Sequence, residues 1–509
     1  MKQFKKVILT AAISVPLALS TLPAFSNSTD FPVLSQVSIV ASAAPDLSSD
    51  MVKNPSKYFE FSSNNDGTTT LTRYIGSATS TIRIPAYVYN STTKKNERIV
   101  KVGSGNYRID FYKDYTVRNS ITKVIVEPYV KEIGSYVFNN CNNLTTVELP
   151  YTITKIGASA FSGNPRLTKV SISTTPTFGS GVFSGCTNLK NAISSANAYT
   201  LLTAGADIQT INGSPIVVNK GDGVEPYVDP VIKRAFSEHY DILEGTKVLD
   251  QYLKLYSKYL VKNKMGITNY TPDVQKAEKI FDYVKSTVSY DSAAFHYVYD
   301  SQNRLIGSYN DVNNRKCHSA GSIFFSSKAV CEGYSKGSMY LFDAAGILGY
   351  DVSVEDVYAN VYKNGSYTNE KLGSGHAFNI IKIEGKYFIF DLTNDKKKGF
   401  LVSGPMHVKN RSLGSIGTWS VSNSAGNPVK YSWTSLLNNK RGDLDFSGKI
   451  DVNDQNMLSR YISGNTATKN SILSEAKVSK ALFEALADMD LNKKLDTNDV
   501  NSIHYGFDK

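Results

Sequence analysis

The chain has 509 residues, a formal net charge of +11, 41% hydrophobic residues and only four cysteines. That length exceeds what one hydrophobic core serves and implies roughly three domains. The basic residues are spread along the chain rather than clustered, so no nucleic-acid partner is expected, and four cysteines are too few for a disulfide scaffold.

In chain order, Lys2, Lys5 and Lys6 precede an apolar run from Val7 to Phe25, and "AFS" is followed by "NSTD". Residues 1–26 are expected to be a secretory signal peptide, with a second cleavage position near Ala43-Ala44, giving a secreted, extracellular chain. Removing those three lysines lowers the net charge from +11 to +8. No later stretch approaches ~18 uninterrupted apolar residues, so no membrane span is expected. Residues 27–67 are taken as an N-terminal linker or cap.

A repeat follows. A Gly with an aromatic residue four positions on recurs in "VGSGNY" at 102–107, "IGSYVF" at 133–138, "IGASAF" at 156–161 and "FGSGVF" at 178–183. "NNLTTVELP" at 142–150 is echoed by "PRLTKVSIS" at 165–173. A period of about 20–29 residues with Leu, Val and Ile in constant slots is the signature of a leucine-rich repeat, in which successive short strands stack. Residues 68–195 resemble the BspA-like class of bacterial leucine-rich repeats. Cys141, Asn164 and Cys186 share one slot; two repeat steps put the thiols ~10 Å apart, beyond disulfide reach, so they are expected to pack as buried thiols. The repeat either binds protein or glycan on its concave sheet or serves as a spacer for its neighbour.

Helical spacing of apolar residues then runs through 231–261 and again through "DVQKAEKIFDYVKSTVSYD" at 273–291. Next come "KAVCEGYSKGSMYLFDAAGILGY" and "GHAFNIIKIEGKYFIFDLTND". Cys331 therefore opens a helix, while His376 and Asp391 flank two strand-like runs joined by Glu384-Gly385. Cys331 is either a small hydrophobe at the start of a buried helix or a nucleophile. A helix N-terminus stabilises a thiolate, an imidazole takes the thiol proton, and a carboxylate beside the imidazole fixes its tautomer. Together, these segments resemble the transglutaminase-like superfamily, a papain-type cysteine fold. The likeness covers roughly 270–403 within an expected domain at 225–435. It implies Cys331 as nucleophile, His376 as general base and Asp391 as orienting acid, with Ser335 and Phe378 departing from the usual Ala and Trp. It also implies a thioester formed on a peptide or amide carbonyl and released to water or to an amine. Cys317-His318 is the rival pair, and a Cys317–Cys331 disulfide is the alternative that would disable the site.

The last segment repeats "GDLDFSGKIDVND" and "ADMDLNKKLDTND", Asp443 and Asp488 being 45 residues apart. Asp443, Asp445, Ser447, Lys449 (through its carbonyl), Asp451 and Asp454 hold loop positions 1, 3, 5, 7, 9 and 12; Asp488, Asp490, Asn492, Lys494, Asp496 and Asp499 match them. That spacing wraps oxygens around a hard cation such as Ca²⁺, giving two expected ions. Position 12 is Asp rather than Glu, and each loop leads into a helix. Residues 441–509 thus resemble a type I dockerin, which implies a cohesin module on a scaffoldin as partner and attachment to a cellulosome, with Ser459 and Arg460 on the contact helix. Lys493 replaces the glycine at position 6.

The expected architecture is multidomain: a leucine-rich-repeat solenoid, an α+β transglutaminase-like (papain-type) domain and a small α-helical dockerin with two calcium loops. The expected function is a secreted, cellulosome-associated cysteine protease or amidase, or a transamidase, supporting polysaccharide catabolism. The alternative is a non-catalytic adhesion or assembly component acting through the repeat. No paired carboxylates stand in a glycosidase context.

Overall fold

The computed structural model describes residues 44–103, 112, 114–295, 312–354, 358–363, 366–371, 376–402, 419–422, 428–431 and 439–505. The expected signal peptide lies outside the described residues. The chain divides into two units, Met1–Gly213 and Ser214–Lys509.

In the first unit the repeat builds two parallel ladders. One stacks Thr81–Ile84, Lys123–Val126, Thr146–Glu148 and Lys169–Ser171; the other stacks Lys95–Val102, Glu132–Ile133, Lys155–Ile156 and Thr177–Phe178. Val124 pairs Val147, Val147 pairs Val170, and Ile133 pairs Ile156, so the conserved spacing of the apolar slots is the register itself. Between the ladders Phe138, Phe161 and Phe183 stack with centroids 5.3 and 5.7 Å apart, and Leu144, Leu167 and Leu189 lie buried beside them. A Cβ on Gly179 would stand 2.3 Å from the Ala158 nitrogen, so only glycine lets successive coils approach there.

The shared slot behaves as a core position. Asn164 donates from Nδ2 to the carbonyls of Phe138 (2.9 Å) and Phe161 (2.6 Å). Cys141 and Cys186 are buried, Cys141 with its Sγ 3.7 Å from Tyr112 Oη, and burial pushes the Cys186 thiol up to about 11. An antiparallel pair, Phe59–Ser63 with Thr68–Tyr74, begins the stack. The helix Ser195–Thr203 closes it, with Asn197 donating to the carbonyls of Val170 and Ile172, both at 3.2 Å.

The second unit packs helices Asp273–Thr287 and Cys331–Ala345 against an antiparallel sheet, with Lys247–Asn263 on the Cys331–Ala345 helix and Pro230–Leu243 beside it. The sheet runs in the order Leu348–Val354, His376–Ile383, Lys386–Phe390, Phe400–Val402. Glu384 and Gly385 take φ of 50° and 81°, which makes the tight turn joining the middle strands. Phe390 holds the helices to the sheet, with Phe342 4.9 Å and Phe281 5.3 Å away edge-on. The C-terminal helices Val452–Ser463, Thr466–Ala476, Lys480–Ala487 and Thr497–Tyr505 join this same core: Leu444, Met457, Leu482, Phe483 and Ile503 are continuous with Phe281, Phe390 and Phe400. The segments at 225–435 and 441–509, distinct in composition, thus share one hydrophobic interior. Among the described residues no helix is long and apolar enough to cross a membrane.

Candidate functional site

Cys331 is the first residue of its helix. Val330 before it is extended, at φ −102° and ψ 179°, and donates its N–H to the Cys317 carbonyl at 3.1 Å. The glycine of "CEGY" has a steric cause: a Cβ on Gly333 would stand 2.2 Å from that carbonyl oxygen and 2.4 Å from Ser322 Oγ. The first turn is thereby pressed against the preceding helix, with Cys331 buried at 6% exposure. As first helical residue, its N–H falls outside the helix's own hydrogen-bond ladder and adds to the positive end of the dipole.

His376 begins the strand paired with Leu348–Val354, and Asp391 follows the neighbouring strand. Asn379 pairs Phe390, so Asp391 continues the ladder opposite Phe378 and shares a face with His376 one diagonal step away. His376 Nε2 and Asp391 Oδ2 are 2.8 Å apart, and the Cys331 thiol lies near enough to the imidazole to act on its charge. Asp391 is 1% exposed. It accepts from the Thr393 N–H (3.0 Å), Thr393 Oγ1 (2.5 Å) and Asn394 Nδ2 (2.9 Å). Burial opposes the His376 charge, but the bonds to Asp391 and Cys331 outweigh it and raise the imidazole to about 9. Burial likewise opposes the Asp391 carboxylate, and His376 and Thr393 overcome it to hold the group below its ordinary value. An imidazole raised in this way is held in its protonated form by its surroundings.

Two contacts that motif reading did not single out lock the helix of Cys331 to the strand of His376. Asn379 donates from Nδ2 to the Ser335 carbonyl (3.0 Å) and the Tyr350 carbonyl (3.3 Å). Ser335, one turn after Cys331, places Oγ 3.0 Å from the Phe378 carbonyl and within a hydrogen bond of Asp351. The Ser335 departure is therefore a tie between the two elements, and Phe378 stacks on His376 at 5.8 Å. The "DLTND" stretch did carry a signal: Thr393 and Asn394 stand two and three residues beyond Asp391, where an Asx-type turn returns donors to the carboxylate.

The rival pair is arranged differently. Cys317 Sγ faces Asp291 Oδ2 at 3.5 Å, and burial, reinforced by Asp291, pushes its thiol up to about 11. His318 Nδ1 turns to Glu332 Oε2 at 2.8 Å. Cys317 therefore meets a carboxylate where a nucleophile needs a base, and both Cys317 and Cys331 are free thiols.

The two acidic loops repeat one hydrogen-bond scheme. Asp443 Oδ2 accepts from the Gly448 N–H (2.9 Å) as Asp488 Oδ2 does from Lys493 (3.0 Å). Asp454 accepts from the Leu444 and Asp451 N–H groups as Asp499 does from Met489 and Asp496. Asp443, Asp445 and Asp454, and likewise Asp488, Asp490 and Asp499, each bring oxygens within 4.8 Å of one another. Asp443 Oδ1 is buried with no hydrogen-bond partner, and burial, then Asp454 and Asp445, pushes that carboxyl up to about 7. A hard divalent cation fits this donor set: it would be held by Asp443, Asp445, Ser447, Asp451, Asp454 and the Lys449 carbonyl, and by their counterparts in the second loop. Lys493 adopts the left-handed φ of 65° that Gly448 takes at 87°.

No curated protein matches the chain. Among solved structures it is similar to a leucine-rich repeat protein of T. pallidum, at 21% identity over 31% of this chain and 63% of that one, TM-score 0.23. It is also similar to a leucine-rich cell surface protein of Faecalibacterium prausnitzii A2-165, at 26% identity over 30% and 40%, TM-score 0.24. A leucine-rich repeat protein of Bacteroides ovatus is similar at 18% identity over 26% and 45%, TM-score 0.17. The chain spans less than two thirds of the length of each. Residues 112–205 match the BspA type leucine-rich repeat in six copies, and this part of the chain is a BspA type leucine-rich repeat region.

Proposed function

We propose that the Ser214–Lys509 unit is a cysteine enzyme that cleaves or transfers peptide or amide bonds, on a secreted chain whose repeat region selects the target. The observation that carries this reading is one imidazole, His376, 2.8 Å from a buried carboxylate and close to the thiol at a helix N-terminus.

In this reading the Cys331 thiolate attacks the carbonyl carbon, and the oxyanion that forms is met by N–H groups at the helix start, with the Cys331 N–H as donor. The His376 imidazolium passes its proton to the departing amine, and the C–N bond breaks to leave a thioester on Sγ. Neutral His376 then takes a proton from water, whose oxygen attacks the thioester, and the C–S bond breaks to release the acid and restore the Cys331 thiolate beside the imidazolium. An amine in place of water gives transamidation. Asp391 keeps its charge and holds the ring orientation throughout.

The paired loops are proposed to hold two Ca²⁺ ions, which neutralise carboxylates that would otherwise repel one another. With their helices they form a dockerin-like module for a scaffoldin cohesin, placing the enzyme in a cellulosome or cell-surface complex. The test is turnover of a casein or peptide-amide panel by the calcium-loaded chain, with Cys331→Ala as control. Release of amine by the native chain alone supports the reading, and its absence across the panel opposes it.

The second reading, a repeat-based binding or adhesion protein whose central fold is a scaffold, is favoured by the BspA type repeat region itself. Binding of glycan or protein arrays by Cys331→Ala at native strength, with no turnover by the native chain, would establish it.

A further inference from the structure

The C-terminal loops touch the segment that carries Asp391 through two routes. Asp391 is followed by a tight loop in which its N–H donates to the Gly399 carbonyl at 2.7 Å, and a Cβ on Gly399 would stand 2.0 Å from the Asp391 oxygen. Lys396, inside that loop, binds Glu278 at 2.6 Å and Asp282 at 3.0 Å on the Asp273–Thr287 helix. Glu278 is shared with Lys493, at 3.6 Å, which is position 6 of the second acidic loop.

The second route is Arg441, 8% exposed and two residues ahead of Asp443. Its Nη1 donates to the carbonyls of Asp488 (2.6 Å) and Ala485 (3.0 Å), and Nη2 to the Phe400 carbonyl (3.4 Å). Its backbone N–H donates to the Leu401 carbonyl at 2.9 Å. One side chain therefore ties the starts of both loops to the strand that closes the Asp391 segment.

Position 6 of such a loop needs a positive φ, which glycine adopts freely and lysine does not. Lys493 accepts that backbone and places its ammonium on Glu278, so the residue that strains the loop also makes the link. The independent sign of a cation is in the first loop, where Asp443 Oδ1 is buried, without a hydrogen-bond partner and within the carboxylate cluster; the second loop repeats its hydrogen-bond scheme.

We propose that divalent-cation loading of the paired loops braces the Asp391 segment, with Arg441, Lys493, Glu278 and Lys396 as positioning residues that hold the acid against His376. The inference rests on the cysteine-enzyme reading for its consequence, but the coupling itself is independent of catalysis. A loaded loop fixes the Lys493 backbone and the Asp488 carbonyl, and these fix Lys396 and Phe400. Coupling is reciprocal, so the cation must protect the segment by the factor by which the brace strengthens cation binding.

The experiment is amide hydrogen exchange of the full chain in Ca²⁺ and in EGTA, followed in peptides covering 391–402, 443–454 and 488–499. Iodoacetamide labelling of Cys331 is read on the same samples. In the native chain and in Lys493→Arg, Ca²⁺ should slow exchange in 391–402 at least tenfold. In Lys493→Gly and Glu278→Gln the loops should remain protected by Ca²⁺ while protection of 391–402 falls severalfold. Lys493→Gly is the decisive variant: it relieves the loop, so a merely structural role predicts undiminished protection everywhere. Equal exchange of 391–402 in Ca²⁺ and EGTA overturns the proposal, as does absence of calcium protection in the loops themselves. Fast labelling of Cys331 with no calcium effect on 391–402 would overturn the brace and leave the enzyme reading standing. Slow labelling beside calcium-protected 391–402 would do the reverse.

Discussion

His376 Nε2 lies 2.8 Å from Asp391 Oδ2, and the carboxylate is nearly inaccessible to water, so one ring nitrogen of the imidazole is committed to Asp391. Asp391→Asn keeps the shape but replaces the anion by a group that no longer supports an imidazolium. Amide turnover should fall ~100-fold or more, with Asp391→Glu less impaired. Steady-state kinetics on a peptide amide check this, and unchanged turnover in Asp391→Asn would remove the acid from its role.

The raised imidazole sets a pH dependence of stability. His376 has a folded-state value of about 9 against an ordinary 6.5, so the folded state binds the extra proton. Its contribution is fully present below about pH 6.5 and is lost as pH rises through about 9. The Tm difference between the native chain and His376→Gln should therefore shrink between pH 6.5 and pH 9.5. A difference that grows over that window would mean the charged imidazole is not stabilised in the fold.

Asn379 is buried and gives its amide to two carbonyls on separate elements. Asn379→Ala removes one donor from each carbonyl and breaks the tie between the two elements, an expected loss of about 1–2 kcal/mol. Urea unfolding should show a lower midpoint, and Cys331 labelling should slow because the helix and the base strand are no longer held in register.

In the repeat, Phe161 stacks between Phe138 and Phe183. Phe161→Ala opens a cavity at the middle of the stack and should cost about 3–5 kcal/mol. Calorimetry should show it in the transition of the Met1–Gly213 unit, and a loss below about 1 kcal/mol would mean the stack collapses freely around the gap.

What the sequence made legible is what repeats or what motif spacing encodes. The Leu144, Leu167 and Leu189 slots, the helix opening at Cys331, the turn at Glu384-Gly385 and the twin loops all stand within a few residues of their own signals. Asn379 and Ser335 were not legible as ties, because a buried amide and a hydroxyl acquire partners only once helix and strand have packed. The joining of the C-terminal segment to the central core was hidden for the same reason. Arg441 sits just before an acidic loop and reads as a solvated charge, yet its partners Asp488 and Phe400 stand 47 and 41 residues away. Lys493 reads as a defect in a cation loop, and its side chain finds Glu278 on a helix far earlier in the chain.

The most direct test of the central claim is the rate of iodoacetamide labelling at Cys331 against pH, read by peptide mass spectrometry in the calcium-loaded chain and in His376→Ala. The account predicts fast labelling already near pH 6 in the native chain, because His376 takes the proton of the thiol and the thiolate is the reactive form, and collapse of that rate in the variant. Slow labelling in both under reducing conditions would contradict it, and would leave Cys331 a packed thiol and the chain's function in its repeat and its loops.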